Sequence, residues 1–476
     1  MPLVAGVDSS TSACKVEIRD AETGRLVATG RAPHPPTTPP RSEQDPAAWW
    51  TAFEAAFAEA GAFGPHRPAA VSIAGQQHGL VVLDAAGAVL RPAKLWNDTE
   101  SAADADALVD ALGPEAWAAA CGSVPVASFT ITKLRWLRRC EPEVFRRVAQ
   151  VRLPHDWLTA QLTGGAATTD RGDASGTGWW SPHEERYRYD LLALVDDAMA
   201  WDRMLPEVLG PAEEVGKWEG MVVGAGTGDN MAAALGLGLR PGDLALSLGT
   251  SGTAFCVSDH PAADPTGTVA GFADATGRYL PLVCTLNATK VTDAVARLLG
   301  VGAIELDALA LAAPPGAGGL VLVPHLDGER TPNRPDATGT LTGIRSDVTR
   351  EQLARAAVEG VVGNLLAGVD ELARWEPGVA EGRIVLAGGG ARSAAYRQVV
   401  ADLTGRPVLV PDADQPVARG AAVQAAAALT GSSLDDITGA WGLERASTTE
   451  PDPSVDGAAI RAAHTGHPLP WRGCPP

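Results

Sequence analysis

Residues 226–230 read GTGDN, a glycine-rich bend that carries Asp229 to what the pattern predicts is the first turn of a helix. A lone carboxylate on such a bend suits general-base work, taking a proton from a hydroxyl as its oxygen attacks phosphorus. Asn230 beside it is able to hydrogen-bond a polyol. An aspartate at a helix start is also an ordinary N-cap, and both readings stand at this point. Hydroxyls gather in two other stretches. GVDSSTSACKVEI (6–18) packs Asp8, Ser9, Ser10, Thr11 and Ser12 into one turn between apolar runs, and LALSLGTSGTAFCVS (244–258) repeats the design. Gly249, Thr250, Ser251, Gly252 and Thr253 of the second turn offer consecutive N–H groups and hydroxyls, the makings of an anion-binding nest. It is not a P-loop, because the Gly-Lys-Ser/Thr ending is absent. A carboxylate among phosphates repels them, so Asp8 makes sense there if Mg²⁺ sits between, held by Asp8 through water. Its plain alternative is a turn cap.

Two clusters in the first half read as hydroxyl binders. GQQHG (75–79) sets Gln76, Gln77 and His78 between glycines at a strand end, and LWND (95–98) sets Trp96 beside Asn97 and Asp98. An aromatic face covers the C–H bonds of a sugar while amides read its hydroxyls. Aromatics also simply fill cores, and a single histidine is commonly a satisfied core residue. AGGGAR (387–392) ends a strand and opens a helix, and Gly388, Gly389 and Gly390 leave a flat surface where a nucleotide can lie against backbone. Tight packing is the plain alternative there.

Strands alternating with helices must position these groups, which predicts α/β layers in each half. A helix is expected from Asp45-Pro46, carrying Trp49, Trp50, Phe53 and Phe57 inward. Others are expected over 101–120, 128–139, 287–299, 304–312 and 349–375, and over the small-residue run 416–431, with a polar tail after Gly439. The two hydroxyl hairpins suggest a duplicated core whose loops face each other across a cleft. The chain has 476 residues, 45% hydrophobic and 20% charged, enough for two or three domains. A formal charge of −19 disfavours phosphate backbones and anionic membranes, so nucleic-acid and membrane binding are not expected. Six scattered cysteines (Cys14, Cys121, Cys140, Cys256, Cys284, Cys474) lack C-x-x-C or metal-ligand spacing, pointing to reduced thiols. No signal peptide or apolar span is read in the chain, and a cytoplasmic location is expected.

Taken in order, the motifs resemble the FGGY carbohydrate kinases from Asp8 to about Gly420. The stretches that carry the resemblance are SEQDPAAWW (42–50), IAGQQHG (73–79), LWND (95–98), FTITKLRWL (129–137), RLPHDWL (152–158), DASGT (173–177), GDN (228–230), SLGTSG (247–252), HLDGERTP (325–332) and GGGARS (388–393). The resemblance implies two ribonuclease-H-like, actin-like ATPase domains with a cleft between them: 1–238 on the sugar side with the catalytic acid, 239–440 on the ATP side, and a tail over 441–476. It implies ATP and Mg²⁺, with Asp229 as proton acceptor, Asp8 as its catalytic companion at the metal, and Gln77, His78, Trp96, Asn97 and Asn230 at the sugar. Thr11, Ser12, Gly249 to Thr253, Gly388 to Gly390 and Arg392 would surround the nucleotide. Within the family the set looks most like members acting on D-xylulose, with ribulose, fuculose and glycerol as the rival substrates. A sugar-independent actin-like ATPase is the rival from another class, and a homodimer stays open. Two departures from the family pattern are Gln77 in place of Met and Ser10 in place of Gly.

Overall fold

The computed structural model describes residues 2–412 and 414–465; Cys474 lies outside them. The chain divides into two compact units, one made of 1–239, 257–281 and 413–444, the other of 240–256, 282–412 and 445–476.

The first unit is built on a sheet with strands in the order Leu26–Pro33, Ala13–Asp20, Leu3–Ser9, Ala70–Gly75, Met221–Gly224, Glu214–Trp218. Leu3–Ser9 runs antiparallel to Ala13–Asp20 and parallel to Ala70–Gly75, which in turn lies parallel to Met221–Gly224. The central strands read as nearly unbroken apolar runs because they are covered on both faces. Helix Pro46–Glu59 starts as the sequence predicts: Asp45 accepts from the Ala47 N–H at 3.0 Å and proline fills the first turn. Trp49, Phe53 and Phe57 recur every four residues and are fully buried, while Trp50 is half-buried against Trp218. The helix expected over 101–120 is broken into Ala102–Leu112 and Pro114–Cys121. Gly113 takes φ 87° and Pro114 starts a new first turn, so a single helix cannot pass through.

The second unit repeats the plan. Six consecutive strands of its seven-stranded sheet run Tyr279–Thr285, Gly252–Cys256, Leu244–Leu248, Ile384–Ala387, Val408–Pro411, Ala446–Thr449. Their relative directions match those of the first sheet strand for strand. The duplicated core read from two hairpins is therefore present. Within the segment read as a polar tail, the residues described up to 465 form regular structure: Ala446–Thr449 pairs with Val408–Pro411 and Gly457–Thr465 is a helix.

Helix Pro416–Thr430 belongs to the first unit, where it packs on Leu3–Ser9 and on helix Asp229–Gly236. Its run of alanines and Gly420 has a steric cause. A Cβ on Gly420 would stand 1.9 Å from the Ala232 carbonyl oxygen, so only glycine lets the two helices meet. Among the described residues no helix is long and apolar enough to cross a membrane. Cys14, Cys121, Cys140, Cys256 and Cys284 are free thiols.

Candidate active site

In the first unit, three backbone segments bring the sequence-predicted residues together. Asp8 and Ser9 belong to strand Leu3–Ser9, paired with Lys15 and Cys14, so the turn expected over 8–12 is confined to the residues after Ser9. The parallel neighbour Ala70–Gly75 is followed by Gln76, Gln77 and His78. Thr227–Gly228 pairs with Ala74–Gly75 on the other side and delivers Asp229 to the first turn of its helix. Gly226 makes that approach possible. Its φ is +78°, and a Cβ there would lie 2.5 Å from the Ile73 carbonyl oxygen.

The buried Asp8 carboxylate accepts from Lys15 Nζ at 2.9 Å through Oδ2, while its Oδ1 is buried without a hydrogen-bond partner. Thr11 is fully committed within the unit. Its hydroxyl accepts from Trp96 Nε1 at 2.8 Å and donates to Gln76 Oε1 at 3.1 Å, tying the first turn to both polar clusters. Ser12 is exposed, its carbonyl accepting from the His34 N–H at 2.9 Å.

Gln77 Oε1 accepts from Asn230 Nδ2 at 2.8 Å, and Asn230 Nδ2 also donates to Asp229 Oδ1 at 3.0 Å. Gln76 Nε2, Gln77 Nε2 and Asn97 Oδ1 are buried and unpaired. Unpaired buried polar atoms are rare in native proteins and call for a partner. Gln77 shares Asn230 with Asp229, and the three atoms are of the donor and acceptor types that read a polyol. His78 sits at φ 64° with its ring stacked on Phe129 at 5.0 Å and its Nδ1 2.7 Å from the Gly176 carbonyl oxygen.

Asp229 itself is half-buried. Burial first, then the charges of Asp8 and Asp173, push its carboxyl up to about 7. That value suits a base working near neutrality. Asp98, the other acid of the sugar-like clusters, is spoken for: it accepts from the Ser42 N–H at 2.9 Å and from Lys94 Nζ at 3.0 Å. Glu43 and Glu100 converge on the same ammonium at 3.1 and 2.5 Å, so a lysine already occupies the space a metal would need.

In the second unit, strands Leu244–Leu248 and Ile384–Ala387 are parallel neighbours, so their terminal loops Gly249–Thr253 and Gly388–Gly390 lie side by side. A Cβ on Gly388 would be 2.6 Å from the Leu248 carbonyl oxygen. The hydroxyls of Thr250, Ser251 and Thr253 make no hydrogen bond among the described residues, and Gly388, Gly389 and Arg392 are exposed. Both loops therefore present backbone and hydroxyl groups to a ligand.

The stretch HLDGERTP (325–332) has a structural use that its sequence does not disclose. Buried Glu329 accepts from the Leu286 and Arg330 N–H groups at 2.5 and 2.8 Å and from Asn287 and Asn364 Nδ2 at 2.9 and 3.1 Å. The next residues along, Ala288 and Thr289, donate to the Thr250 and Gly249 carbonyls. One carboxylate thus braces the hydroxyl loop from behind. The only signal in the sequence was an acid inside a glycine-containing turn.

Two α/β units of one strand plan, with polar loops at the ends of their parallel strands, define an actin-like ATPase architecture of the sugar-kinase type. Family models for the N-terminal and C-terminal domains of the FGGY family of carbohydrate kinases match residues 3–236 and 244–429. A Streptomyces coelicolor protein named xylulose kinase is 51% identical, covering 92% of this chain and 91% of its own. The Escherichia coli xylulose kinase is 37% identical over 84% of each. The crystal structure of xylulose kinase from Bifidobacterium adolescentis superposes with a TM-score of 0.83 at 40% identity, covering 98% of this chain and 99% of that one. The chain belongs to the FGGY carbohydrate kinases, and ATP is accordingly its phosphoryl donor.

Proposed function

We propose that this kinase transfers the γ-phosphoryl group of ATP to the terminal O5 hydroxyl of D-xylulose, with Asp229 as general base. The observation that carries the proposal is the polar set around Asp229. A carboxyl raised to about 7 shares Asn230 with Gln77, whose own Nε2 lies buried and unpaired. The names of the relatives in the previous section supply the sugar.

Gln77, His78, Trp96, Asn97 and Asn230 would bind and orient the ketose, holding O5 toward Asp229. Asp229 accepts the O5 proton as the oxygen attacks phosphorus, and the proton stays on the carboxyl until product leaves. Gly249 to Thr253 and Gly388 to Gly390 would hold the nucleotide through N–H groups and hydroxyls, with Arg392 contributing at its edge.

Asp8 fits a hydrated Mg²⁺. Its Oδ2 is anchored by Lys15, which leaves the unpaired Oδ1 as a fixed acceptor. Mg²⁺ when bound neutralises charge on the β- and γ-phosphate oxygens. Use of ATP and five free thiols support a cytoplasmic setting.

The test is ADP release with a panel of D-xylulose, D-ribulose, L-fuculose and glycerol. D-xylulose is expected to lead by ~10-fold or more in kcat/KM, a margin that a few lost hydroxyl contacts supply. A different leading substrate would reassign the sugar, and full ATP turnover without any sugar would overturn the kinase reading itself.

A further inference from the structure

Behind the turn that presents Asp229 lies a second ionisable group of residues, unused in the reading above. His155, in the first turn of helix Pro154–Thr163, is fully buried. Its Nδ1 hydrogen-bonds Asp173 Oδ2 at 2.7 Å, and its Nε2 lies 3.2 Å from Asp156 Oδ1 and 3.7 Å from Asp170 Oδ1, within reach of charge attraction but without a hydrogen bond. All three carboxylates are buried. Burial pushes the Asp173 carboxyl up to about 7 and the Asp170 carboxyl above the usual carboxylate range, and the imidazole between them opposes both shifts. Burial alone would lower the imidazole's pKa, but Asp156, Asp173 and Asp170 outweigh it and raise it to about 9.

Two of the carboxylates also grip backbone, while Asp173 Oδ1 is buried without a hydrogen bond. Asp156 accepts from the Leu153 N–H at 2.8 Å. Asp170 accepts from the Asp173 N–H at 3.0 Å, the Gly172 N–H at 2.8 Å and the Thr227 hydroxyl at 2.6 Å. Thr227 and Gly228 lead directly into Asp229. The imidazole itself is wedged under both segments of the site. A Cβ on Gly75 would stand 2.9 Å from His155 Cβ, and one on Gly226 would stand 2.8 Å from His155 Cδ2.

We propose that His155, as an imidazolium, is a positioning residue for phosphoryl transfer: it binds three buried aspartates into one set and, through Asp170 and Thr227, fixes the strand that presents Asp229. The proposal rests on Asp229 being the base. The charged groups facing His155 are Asp156 on its own helix and Asp170 and Asp173 on the neighbouring segment, with Arg152 and Tyr187 beside Asp156. The two strands above it contribute glycines.

The cation is lost as pH rises through about 9, so kcat should fall there with little change in the KM for sugar. His155→Lys keeps a cation toward the ordinary lysine value of roughly 10, so its alkaline limb should move upward. His155→Gln has no cation, so below about pH 9 its kcat should drop by up to ~10²-fold, the scale of a misplaced reacting group, and the gap should close as wild type loses its own cation. Direct quantitation of ADP across pH 6–10.5, with circular dichroism to check folding, reads all three proteins. A folded His155→Gln within about threefold of wild-type kcat below about pH 9 overturns the proposal. So does an alkaline limb that coincides in wild type and His155→Lys, a readout that survives if His155→Gln fails to fold. Asp229→Asn is measured alongside. If that variant retains turnover, the base reading fails, whereas the His155 limb reports on positioning independently.

Discussion

Asp229 carries a carboxyl lifted to about 7 because burial and the charges of Asp8 and Asp173 disfavour its anion. The same shift that makes it a usable base is a cost to the fold. With the folded value above the unfolded one, the group contributes stability below about pH 4, and that contribution is lost as pH rises through about 7. Asparagine keeps the shape and caps a helix as well as aspartate, but it carries no charge and accepts no proton. Asp229→Asn should therefore melt above wild type at pH 8, with the gap closing at pH 4. Its kcat should fall by ~10²–10⁴, the usual range for a general base. Calorimetric melts at the two pH values and ADP release at saturating sugar check both halves. Equal melting at pH 8 would mean that the carboxyl is not strained, and kcat within about threefold of wild type would remove Asp229 as base. The search would not then turn to Asp98, whose oxygens are held by Ser42, Lys94 and the Glu100 N–H.

Elements place these residues by how closely they can approach, and helix Pro416–Thr430 shows it most directly. Gly420 meets the Ala232 carbonyl oxygen at a distance that a Cβ would cut to 1.9 Å, so Gly420→Val must push helix Asp229–Gly236 outward. Overpacking of this kind costs ~1–3 kcal/mol or more, and here the displaced helix begins with the base. The variant should both melt lower and lose kcat, whereas a loss of stability with kcat intact would show that Asp229 is positioned by its strand alone. Local signals made much of this legible. Gly-rich turns after apolar strands located Asp8, Gln77, Asp229, Gly249–Thr253 and Gly388–Gly390, and alanines with glycine announced a close-packed helix at 416–431. What the small-residue helix packs on is a tertiary fact, fixed by a partner nearly two hundred residues earlier. The His155 set was illegible for the same reason: its members come from a helix, the end of strand Thr168–Asp170 and the short helix Arg171–Ser175, which only the fold brings together. The break at Gly113-Pro114 was readable from that dipeptide and was overridden by the alanine-rich flanks. Strand Ala446–Thr449 has no apolar alternation and half-exposed residues, so nothing in ASTT set it apart from a tail.

For the whole molecule, that last strand completes a symmetry. Both sheets run antiparallel, antiparallel, parallel, parallel, antiparallel across six strands, but the final strand precedes its neighbour in the first unit and follows it in the second. The second unit therefore cannot close its sheet until the chain has passed beyond Glu444. The segment after it then adds further anchors. The Asp452 N–H donates to Asp402 Oδ1 at 3.0 Å, a Cβ on Gly457 would stand 2.2 Å from the Asp402 carbonyl oxygen, and helix Gly457–Thr465 packs on helices Arg350–Leu372 and Ala394–Thr404. Removing these contacts bares the edge of Val408–Pro411, an open row of backbone donors and acceptors that invites pairing with other chains. A chain ending at Glu444 should lose the second unit's stability while the first unit keeps all its strands. Its Tm should drop by ~5 °C or more, as a loss of a few kcal/mol gives at this size, and limited proteolysis should cut first within 282–412. ATP affinity should weaken more than sugar affinity, since Gly249–Thr253 and Gly388–Gly390 end strands of the damaged sheet. Scanning calorimetry, mapped cleavage sites and separate titrations with sugar and nucleotide distinguish this from a dispensable tail, which would leave Tm, cleavage pattern and both affinities as in the full chain.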